Sequence, residues 1–330
     1  MTGTMRAWRV TTLGEPSEAL QLDEIETPQP GPGEVLIRTR AVSANFPDVL
    51  LCRGLYQVRP ELPFSPGIEL VGDVVALGDG VEGMSVGDRV IGSKIGVLAE
   101  LAVLPASDVW PAPPALTDAE ASGLTVAYQT AWFALHRRAE LKPGEWLLVH
   151  AAAGGVGLAA VQLGDAAGAR VIAVVGSEAK AAVARAAGAE VVLVRGETDI
   201  AAAVKTATGG HGADVVFDPV GGDAFMASTK CIAFEGRIVV VGFAGGEIQS
   251  LPAGHVLVKN YSVLGLHWGM YPGIRPDLVD AARADLARLA EEGAIAPVVD
   301  RVVPFDSAPE ALTALAGGAT VGRVVIEVAA

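Results

Sequence analysis

The chain has 330 residues, 51% hydrophobic and 19% charged, which suits two apolar cores better than one. A net charge of −14, with no run of Lys or Arg, argues against nucleic acid or an anionic membrane as partner. Two cysteines, Cys52 and Cys231, are too few for a disulfide framework or a thiolate cluster. With so few cysteines a reducing cytoplasm is the expected location; the N-terminus shows no signal pattern, and no apolar stretch reaches membrane-spanning length.

In chain order, the first third reads as short strands: MRAWRV, EVLIRTRAVSA, ELVGDVVALG, DRVIGS and AELAVLP. Pro- and Gly-rich turns separate them, the pattern of a small β-barrel or sandwich. Within it, residues 64–72 read FSPGIELVG, with Glu69 as a lone charge in an apolar run. Near residue 115 the pattern changes. TDAEASGLTVAYQTAWFALHRRA reads as a helix, opened by Thr117 with Glu120 three residues on as a capping box. Strands and helices then alternate through EWLLVHAA, GGVGLAAVQLGDAAG, ARVIAVV, SEAKAAVARAAG, AEVVLV, ADVVFDPV, GRIVVVGF and YSVLGLHW. The continuous Val and Ile runs predict parallel strands buried on both faces in a doubly wound sheet. The end of the chain adds a long helix, RPDLVDAARADLARLAEEGAI, then VVDRVVPF, SAPEALTALAGG and GRVVIEV. These closing elements are expected to return to the first domain. The expected division is 1–122 with 268–330, and 123–267.

The strongest motif is HAAAGGVGLAAVQLG, residues 150–164. It follows a strand and opens a helix, so it reads as a dinucleotide fingerprint with Ala152 in the first glycine place. Gly154, Gly155, Val156 and Gly157 would let the backbone approach a pyrophosphate at a helix N-terminus. An ordinary glycine-rich turn is the competing reading, and the strand–turn–helix context speaks against it. The next strand ends Val174-Val175-Gly176-Ser177, with no acid at its tip to take a ribose 2′-hydroxyl. Ser177, Lys180 and Arg195 instead suit a 2′-phosphate, so the expected cofactor is NADPH.

The layout resembles the medium-chain dehydrogenase/reductase superfamily over essentially the full chain. PGIELVGDVVALGDGVEGMSVGDRV, HAAAGGVGLAAVQLG and GRVVIEV carry the resemblance. Within that superfamily, SANFPDVLLCRGLY and GLTVAYQTAW are similar to the zinc-independent NADPH:quinone oxidoreductase (zeta-crystallin-like) branch. Gly164-Asp165 departs from the branch's usual Ala-Lys. The resemblance implies a GroES-like β-barrel domain beside a Rossmann domain with a six-stranded parallel sheet. Zinc members carry Cys–Gly–x–Asp and Gly-His-Glu, where this chain has Asn45-Phe46-Pro47-Asp48 and Gly67-Ile68-Glu69. An amide and an aliphatic side chain make no zinc site, and the five histidines form no ligand-spaced cluster, so no metal is expected.

The resemblance also implies site residues. Asn45, Tyr56 and Tyr128 are the catalytic candidates, the phenols as donors to an acceptor oxygen or as packing against the cofactor. Asn45 (or else a simple turn asparagine), Tyr128, Thr130 and Arg323 are expected near the cofactor. Val241, Gly242, Phe243, Leu266, His267 and Trp268 would line its nicotinamide half, with Trp268, Phe243 and Met270 as an apolar wall. The last Rossmann strand, Tyr261 to Trp268, would pair with its twin in a homodimer.

Without a Lewis acid, alcohol oxidation is disfavoured and hydride donation from NADPH to an electron-poor acceptor is expected. A quinone or related conjugated carbonyl is the leading acceptor. An alkenal or enone double-bond reductase is one alternative. A non-catalytic NADPH-binding regulatory protein is another. Glu69 is expected to be a structural anion, held by backbone N–H groups or by a cation such as Arg323.

Overall fold

The computed structural model describes residues 3–328. They form two compact units, one running to Val126 and resuming at Ala296, the other spanning Ala127–Ile295.

The first unit is built of strands β1 (Thr4–Val10), β2 (Leu20–Glu26), β3 (Glu34–Ser43), β4 (Glu69–Leu77), β5 (Arg89–Ser93), β6 (Leu101–Pro105) and β7 (Val109–Pro111). β1 and β2 pair antiparallel as a ribbon. β3 is the organising strand, because it is long enough to serve three neighbours. β4 takes one edge, while Glu34–Arg38 pairs with β6 and Ala41–Ser43 pairs with the last strand of the chain. Val35, Ile37, Val42, Leu70, Val90 and Leu104 fill the core beneath. Side chains of this kind contribute about 1.5–3 kcal/mol each when fully buried.

The second unit holds β8 (Trp146–Val149), β9 (Arg170–Val175), β10 (Val191–Val194), β11 (Ala213–Asp218), β12 (Ile232–Val240) and β13 (Ser262–Gly265). They form one parallel sheet in the order β10-β9-β8-β11-β12-β13. The order reverses between β8 and β11, the place where doubly wound sheets bind ligands beyond their carboxyl ends. The chain then returns to the first unit as β14 (Val299–Pro304) and β15 (Arg323–Glu327), which pair parallel, β15 closing against β3.

Two expectations are modified. The helix expected from Thr117 starts as foreseen: Thr117 Oγ1 accepts from Glu120 N at 3.3 Å, and Glu120 Oε2 accepts from Thr117 N at 2.8 Å. It does not run straight on. Regular turns occupy Asp118–Ala121 and Gln129–Trp132, and wider π turns occupy Leu124–Tyr128 and Phe133–Arg138. The first widening has a visible cause. The Val126 N–H is taken by Glu69 Oε2 at 2.7 Å, so a side chain interrupts the helical ladder there.

The second difference is the boundary. Residues 268–295 belong with the second unit, so the return begins at Ala296 and not at 268. The helix Pro276–Glu291 buries Val279 and Ala282 against Phe133. Trp132 Nε1 donates to Asp285 Oδ2 at 2.9 Å, and the Phe133 and Tyr271 rings lie 4.1 Å apart between centroids. Among the described residues no helix is long and apolar enough to cross a membrane.

Candidate functional site

In the second unit, the expected cofactor residues gather along one edge of the sheet. Gly154–Gly157 follow β8, Gly176 and Ser177 follow β9, and Arg195 follows β10. Val241–Phe243 follow β12, and Leu266–Trp268 follow β13. Parallel strands put all these carboxyl ends on the same side, which is why positions scattered over 115 sequence places meet one edge.

The glycine turn has the features of a phosphate cradle. Gly154 is the N-cap of the helix Gly155–Ala166 and has no side chain to satisfy its first N–H groups. A Cβ on Gly157 would lie 2.2 Å from Ala151 O, so only glycine allows this close turn. A Cβ on Gly176 would meet nothing within 4 Å, so the backbone there borders open space. Ser177 begins the helix Glu178–Ala186 without using its hydroxyl as a cap. Glu178, the one acid beside it, pairs with Arg185 at 3.3 Å. Arg195 is exposed, and its charge is felt by His150 at the start of the glycine turn. These residues fit a dinucleotide with its phosphates on the uncapped helix N-terminus.

Other members of the set are placed differently. Thr130 is half-buried in the helix Gln129–Trp132. Tyr128 is buried, and its hydroxyl donates to Gln162 Oε1 at 2.6 Å, so its proton is already engaged inside the unit. Phe243, His267 and Met270 are exposed, while Trp268 is half-buried. One stretch escaped the motif reading. Asp218-Pro219-Val220-Gly221-Gly222 forms a second glycine loop at the end of β11, with φ of 75° and 50° at the two glycines. Asp218 Oδ1 accepts from Val220 N at 2.9 Å and Gly221 N at 3.0 Å. The adjacent glycines after an apolar strand were the available signal.

In the first unit, Asn45, Glu69 and Arg323 come together in a closed polar cluster. Asn45 precedes the helix Phe46–Cys52 and is 4% exposed. Its Nδ2 donates to Ser43 O at 3.0 Å and to Glu69 Oε1 at 2.9 Å, and its Oδ1 accepts from Arg323 Nη1 at 3.1 Å. Both amide protons are therefore spent within the protein. Arg323, 5% exposed, also donates to Ser43 Oγ at 2.7 Å and to Glu69 Oε1. Burial drives its guanidinium down to about 10, with Asp48 opposing. Glu69 has no exposed surface, and the Val126 N–H completes its shell. The expectation of a structural anion held by a backbone N–H and by Arg323 is thus met.

Asp48 was not singled out in advance, although its place three residues after Asn45 marks it. Its Oδ2 accepts from Asn45 N at 2.8 Å and its Oδ1 from Gly67 N at 3.0 Å. Burial nonetheless pushes its carboxyl up to about 7. Tyr56 is half-buried against the apolar core, and burial, then the nearby Asp48, raises its phenol, so it remains a protonated donor at neutral pH. Cys52 is buried and pushed up to about 12, an inert thiol. The donor set here does not fit a zinc ion: Asn45 and Asp48 are committed to protein partners and Ile68 is aliphatic. Among the described residues, no group of three or more His, Cys, Asp or Glu could hold a metal.

A parallel sheet with a glycine turn at its switch point, in one chain with a β domain organised by one long strand, defines a nucleotide-dependent dehydrogenase/reductase fold. Residues 31–114 match the family model described as the alcohol dehydrogenase GroES-like domain, and residues 155–284 match the one described as zinc-binding dehydrogenase. The chain belongs to the medium-chain dehydrogenase/reductase superfamily.

Its relatives narrow the branch. Quinone oxidoreductase-like protein 2 homolog of Nematostella vectensis is 38% identical over 325 residues, covering 97% of this chain and 88% of that protein. The structure of Escherichia coli quinone oxidoreductase complexed with NADPH superposes with a TM-score of 0.91 at 31% identity, covering 98% of this chain and 100% of that one. A probable oxidoreductase from Mycobacterium abscessus gives a TM-score of 0.90 at 38% identity, covering 99% of both. Within the superfamily the chain belongs to the quinone oxidoreductase branch.

Proposed function

We propose that the protein is a zinc-independent oxidoreductase that uses NADPH to reduce a quinone or a related conjugated carbonyl. The observation that carries the reading is the carboxyl edge of the second unit's sheet. There an uncapped helix N-terminus at Gly154–Gly157 stands with the open Gly176–Ser177 turn and the exposed Arg195. The E. coli relative bound to NADPH supports the same cofactor. NADPH held there supplies the hydride. Ser177, Lys180 and Arg195 are assigned to its 2′-phosphate, and Thr130, Val241, Gly242, Phe243, Leu266, His267 and Trp268 to the remainder of the dinucleotide.

Of the catalytic candidates, Tyr56 is assigned the hydrogen bond to the acceptor oxygen, because burial keeps its phenol protonated. Tyr128 gives its proton to Gln162, and Asn45 gives both of its amide protons to Ser43 and Glu69. Both are assigned to holding the site in shape, and Arg323 likewise. We also propose that the protein is cytoplasmic and a homodimer joined through β13.

The test is NADPH oxidation, followed near ~340 nm where reduced nicotinamide absorbs, with 1,4-benzoquinone, 9,10-phenanthrenequinone and 2-alkenals as acceptors. Turnover with quinones is expected. Tight NADPH binding with no acceptor reduced overturns the enzyme reading, and reduction confined to alkenals moves the assignment to a double-bond reductase. Replacing Lys180 and Arg195 by alanine is expected to raise the KM for NADPH about tenfold, the scale of one charge-assisted hydrogen bond, and to leave NADH unaffected.

A further inference from the structure

The dinucleotide edge contains a buried polar link that none of the roles above uses. His150 directly follows β8 and is 3% exposed. Its Nε2 lies 2.8 Å from Ser228 Oγ on the helix Gly222–Cys231. Ser228 already donates its hydroxyl proton to Ala224 O at 2.8 Å. A hydroxyl has a single proton, so the imidazole must be the donor in their contact. The proton in that contact therefore sits on Nε2, as it does in one neutral tautomer of the imidazole. Burial favours that neutral form, with the Arg195 charge acting in the same sense and the Asp218 charge against it.

The residue after His150 shows why this matters. Ala151 has φ of 48°, a left-handed conformation that a residue with a Cβ keeps only when its surroundings impose it. Bonds on both sides impose it here. His150 N donates to Phe217 O at 3.1 Å, and Ala152 N donates to Val174 O at 2.9 Å. Ala151 O in turn accepts from Gly154 N at 2.9 Å and is the atom against which Gly157 closes. The aim of the whole glycine turn depends on where Ala151 is held.

We propose that His150 is a positioning residue for the cofactor: its Nε2–H bond to Ser228 fastens the turn Ala151–Gly157 to the helix Gly222–Cys231. The turn's N–H groups are thereby fixed toward the phosphates before the cofactor arrives. Asp218 holds the second glycine loop through Oδ1, its buried Oδ2 has no protein partner, and its charge acts on His150. The inference rests on the NADPH reading above.

Three variants test it. Ser228→Ala removes one oxygen, and His150→Leu removes the donor. His150→Gln returns an N–H near the Nε2 position. NADPH affinity is measured by fluorescence titration, and amide hydrogen exchange is followed in the same proteins. Ser228→Ala and His150→Leu are expected to bind NADPH about tenfold more weakly, the scale of one buried hydrogen bond. Exchange should be faster in residues 151–157 and unchanged in the helix Pro276–Glu291. His150→Gln should bind like the parent. If Ser228→Ala keeps parental affinity and parental exchange in the turn, the positioning role is wrong, whether or not His150→Leu folds. If the parent itself binds no NADPH, the cofactor reading fails first, so the two failures are distinguishable.

Discussion

Glu69 is a carboxylate in a buried strand, and it persists there because Asn45 Nδ2, Arg323 and Val126 N all donate to it. A buried pair of this kind contributes little net stability when complete, but removing one member leaves the other charge unpaired. Glu69→Gln is therefore expected to destabilise the protein by about 3–5 kcal/mol in urea unfolding. The rate at saturating NADPH should change far less than the stability. If turnover vanished with folding and NADPH binding intact, Glu69 would belong among the catalytic groups. Asp48 gives the pH dependence at this scale. Its carboxyl is raised from 3.8 to about 7, so the folded state holds its proton where the unfolded chain has released it. The stability this contributes is complete below the unfolded value and is lost as pH rises through about 7. Infrared difference spectra should show a protonated-carboxyl band fading near pH 7 and missing in Asp48→Asn, and a band absent at pH 5 would contradict this. Gly-Ile-Glu was enough to read Glu69 as an anion without a metal. That Asn45 would have no proton left to offer was not legible, because its partners Glu69 and Arg323 lie 24 and 278 positions away.

Elements turn those residues into a site. The glycine turn was legible because its chemistry is local: an apolar strand, small residues, then a helix without an N-cap side chain. Gly157→Ala tests it sharply. Its Cβ would stand 2.2 Å from Ala151 O, a backbone atom with little room to yield. The strain should cost about 1–3 kcal/mol in stability, the usual range for overpacking, and NADPH affinity should fall. Gly176→Ala, which meets nothing within 4 Å, is the matched control and should keep the fold. Parental NADPH affinity in a folded Gly157→Ala would deny the turn its role. The π turn at Leu124–Tyr128 was not legible, since its cause is a carboxylate from β4 reaching the Val126 N–H across 57 positions. The domain boundary was misplaced for a similar reason. The amphipathic helix Pro276–Glu291 does not announce which core its apolar stripe joins, and Phe133, Trp132 and Tyr271 decide it.

At the scale of the whole molecule, the second unit's sheet stops at an open side. Among the described residues β13 pairs with β12 alone, which leaves its other edge without a backbone partner. The chain around it carries exposed apolar side chains. Leu257 and Val258, in the helix Ala253–Lys259 that leads into β13, are 77% and 79% exposed. Phe234 is exposed as well, and Glu235 beside it donates its N–H to Asn260 O, two residues before β13. Charge repulsion alone would keep a chain of net −14 apart, so association needs a local apolar driving force of this sort. A two-fold axis through β13 would place the same strand of two copies antiparallel and bury both apolar sets at once. Sedimentation at micromolar concentration should then give a dimer. Leu257→Asp with Val258→Asp sets carboxylates against their own copies. It should weaken the dimer by at least about a hundredfold, roughly 3 kcal/mol, and leave the unfolding transition of the monomer close to the parent, because both side chains are already exposed. A parent that sediments as a monomer removes the dimer altogether. A double variant that stays dimeric moves the interface to another face of the molecule.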